Sequence, residues 1–290
     1  MHYSWDFAQQ LQYPYEDHQV GPIYFKSPRV AQLFGICCEA IPKQINYLID
    51  EAGFPGKGAD TVISLLDHFF DNYGLGEEHA LLTADNCIGQ NKNNALIQYL
   101  IYRVITGRHK SITLSFMLVG HTKFAPDGYF GLIKKRYRRS KVYTYYEHLA
   151  DVVNLSTTGA FNICQRYRDK QGVEVVKFKK WSTWLDKLFK KLTGITNYQH
   201  FYITGDAPHG EITVGESVDG KNKTFDLHKN ETTQFKEELV KGPHVLPRMT
   251  LSQQRQWYLY DNIRPLYQLR QIRIAPHRCQ KWLSPQAKKI

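Results

Sequence analysis

The sequence predicts an α/β fold in which helices cover both faces of a mixed sheet. The chain has 290 residues, of which 42% are hydrophobic and 22% are charged, a balance typical of a globular chain with a sizeable core. Its first half has a strand–strand–strand–helix–strand–helix–strand–helix pattern, and such alternation is typical of sheets covered by helices. No apolar run approaches the roughly 20 residues that a membrane span needs.

Apolar periodicity predicts eight elements in residues 1–141. A turn-rich stretch separates the first two strands, and the glycines between residues 53 and 58 end the group of three strands before the first helix. The order is a strand over 2–11, strands over 23–41 and 44–49, a helix over 60–73, a strand over 80–84, a helix over 93–106, a strand over 112–119 and a helix over 127–137. These five strands form the predicted five-stranded mixed sheet.

The remainder of the chain divides into a predicted α+β extension, residues 142–242, and a basic aromatic tail, residues 243–290. Its predicted elements are a short helix over 146–156, a strand over 173–178, an amphipathic helix over 181–192, two short strands within 201–218 and a helix over 251–263. Residues 1–141 are the predicted catalytic core, for the reasons that follow.

Charge is distributed unevenly along the chain. The formal net charge is +11, yet residues 1–133 carry a net charge of −4, whereas residues 134–191 carry +10 and residues 241–290 carry +9. Carboxylates bind divalent metal ions, and Lys and Arg bind phosphates. The distribution therefore favours an acidic core that acts on a polyanion held by the basic segments.

The cysteines and the N-terminus bear on the cellular compartment. Five cysteines without a CxxC pair are typical of a reduced intracellular protein without a structural zinc ion. The first ten residues lack the charged-then-apolar pattern of a signal peptide, so we expect a protein that is neither secreted nor bound to a membrane.

Three acids lie at positions where α/β sheets carry functional groups. Asp6 is in the first predicted strand, Asp85 ends the fourth and Asp127 begins the helix after the fifth. Carboxylates gathered at one sheet edge repel one another, and Mg²⁺ or Mn²⁺ is the usual compensation. Each acid also has a structural alternative, since Asp85 is suited to an Asx turn and Asp127 to a helix cap.

This arrangement of elements and acids resembles the ribonuclease H-like superfamily, which includes integrases and DDE/D transposases. The segments MHYSWDFAQQ, LLTADNCIGQNKNN and GHTKFAPDGYFGLIKKR also resemble an uncharacterised domain of transposon-derived proteins in animal genomes, as does QWYLYDNIRPLY in the tail. The superfamily pattern covers about residues 1–140.

The resemblance implies a two-metal nuclease or polynucleotidyl transferase that acts on DNA phosphodiesters. Asp6, Asp85 and Asp127 would bind Mg²⁺ or Mn²⁺, and His121, in the loop before Asp127, would act as a catalytic acid or base. DDE enzymes have a Glu within the final helix, whereas this chain has an Asp at its start. Asp60 is the nearest positional match to the additional acid of ribonuclease H, although a helix cap is its alternative role.

Polar and basic residues near the acids are predicted to contact nucleic acid. They are Asn86, Gln90, Asn91, Lys92, Lys123, Lys134, Lys135, Arg136, Arg138 and Arg139. The expected partner is DNA, with RNA as the alternative, in a nuclear protein that forms a homo-oligomer as transposases do.

Two alternatives remain beside the transposase-like enzyme. A 3′ exonuclease of the DEDD type shares the fold, but it needs an acid where this chain has Ala8. A catalytically silent, domesticated transposase remnant, nuclear or cytoplasmic, would keep only nucleic-acid or protein binding. A metallophosphoesterase is excluded because the chain lacks its histidine-containing metal motifs.

Overall fold

The computed structural model describes residues 1–17, 21–118, 123–143, 148–207, 210–229 and 233–268. The strands are β1 His2–Phe7, β2 Leu11–Tyr13, β3 Arg29–Cys38, β4 Lys43–Asp50, β5 His79–Ala84, β6 Ser111–Phe116, β7 Asn162–Arg166, β8 His200–Thr204, β9 Glu211–Gly215 and β10 Lys223–Asp226. The α-helices are α1 Ala59–Asn72, α2 Asn94–Ile105, α3 Ala125–Tyr137, α4 Ala150–Asn154, α5 Trp181–Leu188, α6 Thr233–Lys241, α7 Gln253–Tyr258 and α8 Arg264–Gln268. Short 3₁₀ segments occur at Gly21–Ile23, Glu51–Gly53 and Ile195–Asn197, and a π-helical turn at Leu259–Ile263.

All ten strands belong to one mixed sheet. Its order is β10-β9-β8-β6-β5-β1-β3-β4-β7, and β2 pairs with β3. In the centre β1, β5 and β6 run parallel, while β3 runs antiparallel to both β1 and β4. The C-terminal ends of β1, β4, β5 and β6 therefore lie at the same end of the sheet, which we call its C-terminal edge.

Helices cover both faces of β1. Tyr3 packs edge-to-face on Phe69 of α1, with 5.2 Å between ring centroids. Gly35, which pairs with Asp6, lies beneath Phe130 of α3. Since side chains alternate along a strand, Tyr3 and Asp6 point to opposite faces, and so α1 and α3 lie on opposite sides of the sheet.

The predicted α/β class and the mixed sheet with helical cover are confirmed, but the sheet has ten strands and not five. Strands β8, β9 and β10 extend it beyond β6, and β7 pairs with β4 at the other edge. The predicted boundary at residues 141 and 142 thus has strands of the same sheet on both sides. Residues beyond 243 also pack on this part of the chain: Arg255 donates two hydrogen bonds to Glu51, which directly follows β4.

Most elements of residues 1–141 agree closely with their predicted ranges, but the first two strands are shorter than predicted and the strand predicted over 173–178 was wrong: β1 ends at Phe7 and not at residue 11. The second strand begins at Arg29 and not at residue 23, because Gly21–Ile23 is a 3₁₀ turn. Residues 173–178 form only an isolated bridge at Glu174, and the strand nearby is β7. Val176 and Phe178 are buried without strand pairing, so their apolar pattern reflects core packing. None of the described helices combines the length and apolarity required to cross a bilayer.

Candidate acidic site at the ends of two parallel strands

Parallel pairing of β1 and β5 brings two of the three predicted acids together. Ser4 pairs with Thr83, and continuing this register by two residues sets Asp6 beside Asp85. Neighbouring strands lie about 4.8 Å apart, so the two acids are adjacent at the C-terminal edge of the sheet.

Asp6 has the electrostatics of a carboxylate in an acidic cluster. Burial raises its pKa to about 6, and the negative charges of Asp85 and Asp127 add to this effect. Two groups oppose it: the backbone N–H of Phe7, which donates to Asp6 Oδ1 at 2.7 Å, and the positive charge of Lys57. Asp85 and Asp127 are thus both close enough to Asp6 for their charges to act on it.

A buried relay holds Asp85 in place. Trp5 Nε1 donates to Asn91 Oδ1 at 3.0 Å, and Asn91 Nδ2 donates to Asp85 Oδ1 at 2.5 Å. The backbone N–H of Cys87 also donates to this oxygen. Because Trp5 and Asn91 are 0% and 1% exposed, the position of Asp85 is tied to β1 through the protein interior.

A second pair of side chains ties the same loop to the end of β6. Lys92 Nζ donates to Asn86 Oδ1 at 3.1 Å, and Asn86 Nδ2 donates to the carbonyl of Met117. The Lys92 ammonium lies 5.4 Å from the ring centroid of Phe116, and its burial lowers the pKa of Lys92. Residues 85–92 are therefore a preformed loop held at both neighbouring strands.

This burial is at odds with the predicted nucleic-acid contacts of two residues. Asn91 and Lys92 are 1% and 3% exposed, and their polar atoms are directed at Asp85 and Asn86. Asn91 and Lys92 therefore stabilise the loop from the protein interior. Asn86 and Gln90 are half-buried.

Asp127 is at the start of α3. Its Oδ2 accepts a hydrogen bond from the N–H of Phe124 at 3.2 Å, so it performs the capping role that the sequence offered as an alternative. The close approach of α3 to the sheet depends on Gly35, since a Cβ there would lie 2.7 Å from the ring of Phe130. Asp127 is exposed and lies one turn before Phe130.

The basic run continues α3 away from the acids. Ile133 and Tyr137 are buried and hold the helix on the sheet, while the basic side chains are exposed. The exposed basic residues are Lys123, Lys134, Lys135, Arg136, Arg138 and Arg139. His121 lies outside the described residues. Asp60 accepts hydrogen bonds from the N–H and Oγ of Ser182 and so fixes the start of α5.

The three acids fit a metal ion only in part. Among the described residues, no three His, Cys, Asp or Glu side chains are grouped closely enough to hold one ion. Each acid nevertheless keeps one carboxylate oxygen that accepts no hydrogen bond from the described residues: Oδ2 of Asp6, Oδ2 of Asp85 and Oδ1 of Asp127. Mg²⁺ is commonly held by one or two carboxylates plus waters and substrate phosphates, and the adjacent pair Asp6 and Asp85 fits that pattern.

Sequence reasoning missed two residues that belong to this site. The sequence predicts no role for Trp5 at the site, but its indole N–H begins the relay to Asp85. Lys57 is close enough to Asp6 to lower its pKa, and its ammonium lies 5.1 Å from the ring centroid of Phe7. The available signal was the Gly56-Lys57-Gly58 sequence, which places a cation in an open loop before α1.

Comparison with known proteins identifies a family without assigning an activity. Residues 33–216 match the family described as "Domain of unknown function (DUF7869)". Neither the curated proteins nor the solved structures gave a match. The matched range runs from within β3 to the end of β9 and includes Asp85, Asp127 and the basic run of α3. Because this range is more than half of the chain, the protein belongs to the DUF7869 family.

Proposed function

We propose that the protein is a metal-dependent nuclease or polynucleotidyl transferase that acts on DNA phosphodiesters and has a ribonuclease H-like core. The observation that carries the proposal is the adjacent pair Asp6 and Asp85, each with a carboxylate oxygen that no described residue binds. A nuclear location and self-association, as in transposases, belong to the same proposal.

The sheet supports the proposed core. The five strands that the sequence analysis assigned to it are consecutive in the sheet, in the order β4-β3-β1-β5-β6. Helices α1, α2 and α3 follow β4, β5 and β6 along the chain, as the resemblance implies. The additional strands join this core at its two edges.

Asp6 and Asp85 are the residues that would hold Mg²⁺ or Mn²⁺. A bound divalent ion supplies a Lewis acid for the phosphoryl oxygen and lowers the pKa of a bound water. Asp6 must be ionised to bind it, so Asp6 contributes fully only above its pKa of about 6. Asn91 orients Asp85 by donating to one of its oxygens, which leaves the other oxygen for the ion.

The basic run of α3 would hold the DNA backbone next to this site. Seven residues separate Asp127 from Lys134, which corresponds to about 10 Å along a helix that rises 1.5 Å per residue. A phosphate backbone spans that distance easily. The exposed Lys and Arg side chains of the run therefore suit the phosphates that flank the reacting one.

Nicking of supercoiled DNA tests the proposal. Wild type, Asp85→Asn and Asp219→Asn are compared over a titration of Mg²⁺ and of Mn²⁺. Asp219 is an exposed aspartate in the turn between β9 and β10 and serves as the matched control. We expect metal-dependent nicking by wild type and Asp219→Asn, and its loss in Asp85→Asn. Equal nicking by all three would overturn the proposed site.

A second candidate function is DNA binding without catalysis. It is favoured by the lack of a three-ligand metal group in the described part of the chain, together with the exposed basic run. In that case the protein binds DNA with a steep salt dependence but does not nick it with either metal ion.

A further inference from the structure

Lys57 lies at the sheet edge that carries the acids. Strand β4 runs parallel to β1, because both are antiparallel to β3. The chain leaves the C-terminal end of β4, passes through Glu51–Gly53 and reaches Lys57 just before α1. Lys57 therefore lies at the same end of the sheet as the acids, in the loop between β4 and α1. The sequence alone does not show this, because Lys57 and Asp85 are far apart in the chain.

The surroundings of Lys57 leave its ammonium available to a ligand. Its side chain is exposed, and its Nζ makes no hydrogen bond or ion pair with a described residue. The contact with the Phe7 ring sets the ammonium at the C-terminal end of β1, where its positive charge acts on Asp6, although Phe7 and Asp6 point to opposite faces of the strand. Gly56, at φ 115°, and Gly58 have no described atom within 4 Å of where a Cβ would be, so the backbone on both sides of Lys57 is open at these positions.

A cation near the acids would weaken the repulsion between their carboxylates and the DNA phosphates. DNA carries one negative charge per phosphate, and three carboxylates repel it. A divalent ion offsets part of that repulsion. An ammonium that is near the carboxylates but not paired with one offsets more, and its three donors suit phosphate oxygens.

We propose that Lys57 binds a phosphate of the DNA strand that enters the acidic site. This inference rests on the proposed function, because it identifies how that site holds its substrate. Lys57 and the basic run of α3 approach the acids from different elements, one before α1 and the other along α3. The DNA strand would thus be gripped on two sides of the site.

DNA binding tests this proposal without requiring catalysis. The affinity for a fluorescent DNA duplex is measured by anisotropy in EDTA, and again in Ca²⁺, over a series of KCl concentrations. Four proteins are compared: wild type, Lys57→Gln, Lys57→Arg and Lys43→Gln. Lys43 is an exposed lysine at the opposite end of β4 and controls for the loss of one positive charge.

We expect Lys57→Gln to flatten the slope of log affinity against log salt by about one, the change typical of one lost phosphate contact. Lys57→Arg keeps the wild-type slope, and so does Lys43→Gln. Equal slopes for Lys57→Gln and wild type would overturn the proposal, as would a wild-type protein that does not bind DNA. If the slope changes as expected but no protein nicks DNA, the contact stands and the proposed enzymatic activity fails.

Discussion

Two regions of the molecule contain buried or half-buried aspartates, and they differ in whether cations pair with the aspartate charges. The first is the charge cluster around Asp67 on α1, and the second is the acidic site of Asp6, Asp85 and Asp127. Asp67 is 5% exposed and accepts hydrogen bonds from Tyr99, Arg103, Arg108 and Lys179 at 3.0 to 3.5 Å. Three cations surround its negative charge: Arg103 of α2, Arg108 in the loop after α2 and Lys179 just before α5.

The acidic site has no such compensation. Asp6 is adjacent to Asp85, and its pKa is raised to about 6, chiefly by burial and further by the charges of Asp85 and Asp127. Lys57 is the cation that acts on it, and it remains unpaired within the described residues. The fold surrounds Asp67 with three cations but does not pair Asp6 with one, and the proposed metal site depends on this difference.

The largest expected effect breaks the structural cluster. Asp67→Asn should lower the free energy of unfolding by about 3 to 5 kcal/mol, because it leaves the buried guanidinium of Arg103 without its principal counter-charge. Urea denaturation at pH 7 measures it, with Asp219→Asn as the control. A loss below about 1 kcal/mol, the range of exposed pairs, would show that the cluster is not a structural ion network.

The matching change in the acidic site should abolish activity without lowering stability. Asp85→Asn should keep or raise the free energy of unfolding, because it removes a charge that repels Asp6 while its oxygen still accepts from Asn91. Nicking should fall by at least about 100-fold, the upper limit for residues that only support a metal ligand. Destabilisation comparable to that of Asp67→Asn would contradict the distinction between the two regions.

A smaller effect is expected for the residue that orients Asp85. Asn91→Leu should raise the Mg²⁺ concentration for half-maximal nicking by about 10- to 100-fold, as for other residues that position a metal ligand. Asp219→Asn again serves as the control, since Asp219 is exposed in the turn between β9 and β10. An unchanged metal requirement, with equal stability, would assign Asn91 to packing alone.

The last expected effect is a pH dependence of stability. The pKa of Asp6 is raised from 3.8 to about 6, so the folded protein holds this proton more tightly than the unfolded chain does. The stabilisation that results is fully present below pH 3.8 and is lost as the pH rises through about 6. Relative to wild type, Asp6→Asn should therefore gain stability between pH 4 and pH 7.

Urea denaturation of the two proteins at several pH values measures this difference. Mg²⁺ should stabilise wild type at pH 7 but not at pH 4.5, where Asp6 is protonated. A difference between the two proteins that does not change with pH would show that Asp6 lies in an ordinary solvated environment.

Some of the site could be predicted from the sequence, and some could not. Asp6, Asp85 and Asp127 could be proposed from the sequence because strand ends and helix starts are visible in apolar periodicity, and strand pairing brings Asp6 and Asp85 together. The burial of Asn91 and Lys92 could not be found, because a polar loop has the same composition whether its side chains point outward or inward. The long reach of Trp5 to Asn91, 86 residues apart, depends on the pairing of β1 with β5.

By itself, the sequence determined the α/β class, the order of the central elements and the three acids, since each depends on local periodicity and on which residue ends an element. The tertiary structure decided how many strands join the sheet, because polar edge strands such as β7 are stabilised by a neighbour and not by their own pattern. It also decided which charges are paired. Ion pairing depends on distances between elements far apart in the chain, and these distances gave Asp67 its cations and left Asp6 and Asp85 with one unbound oxygen each.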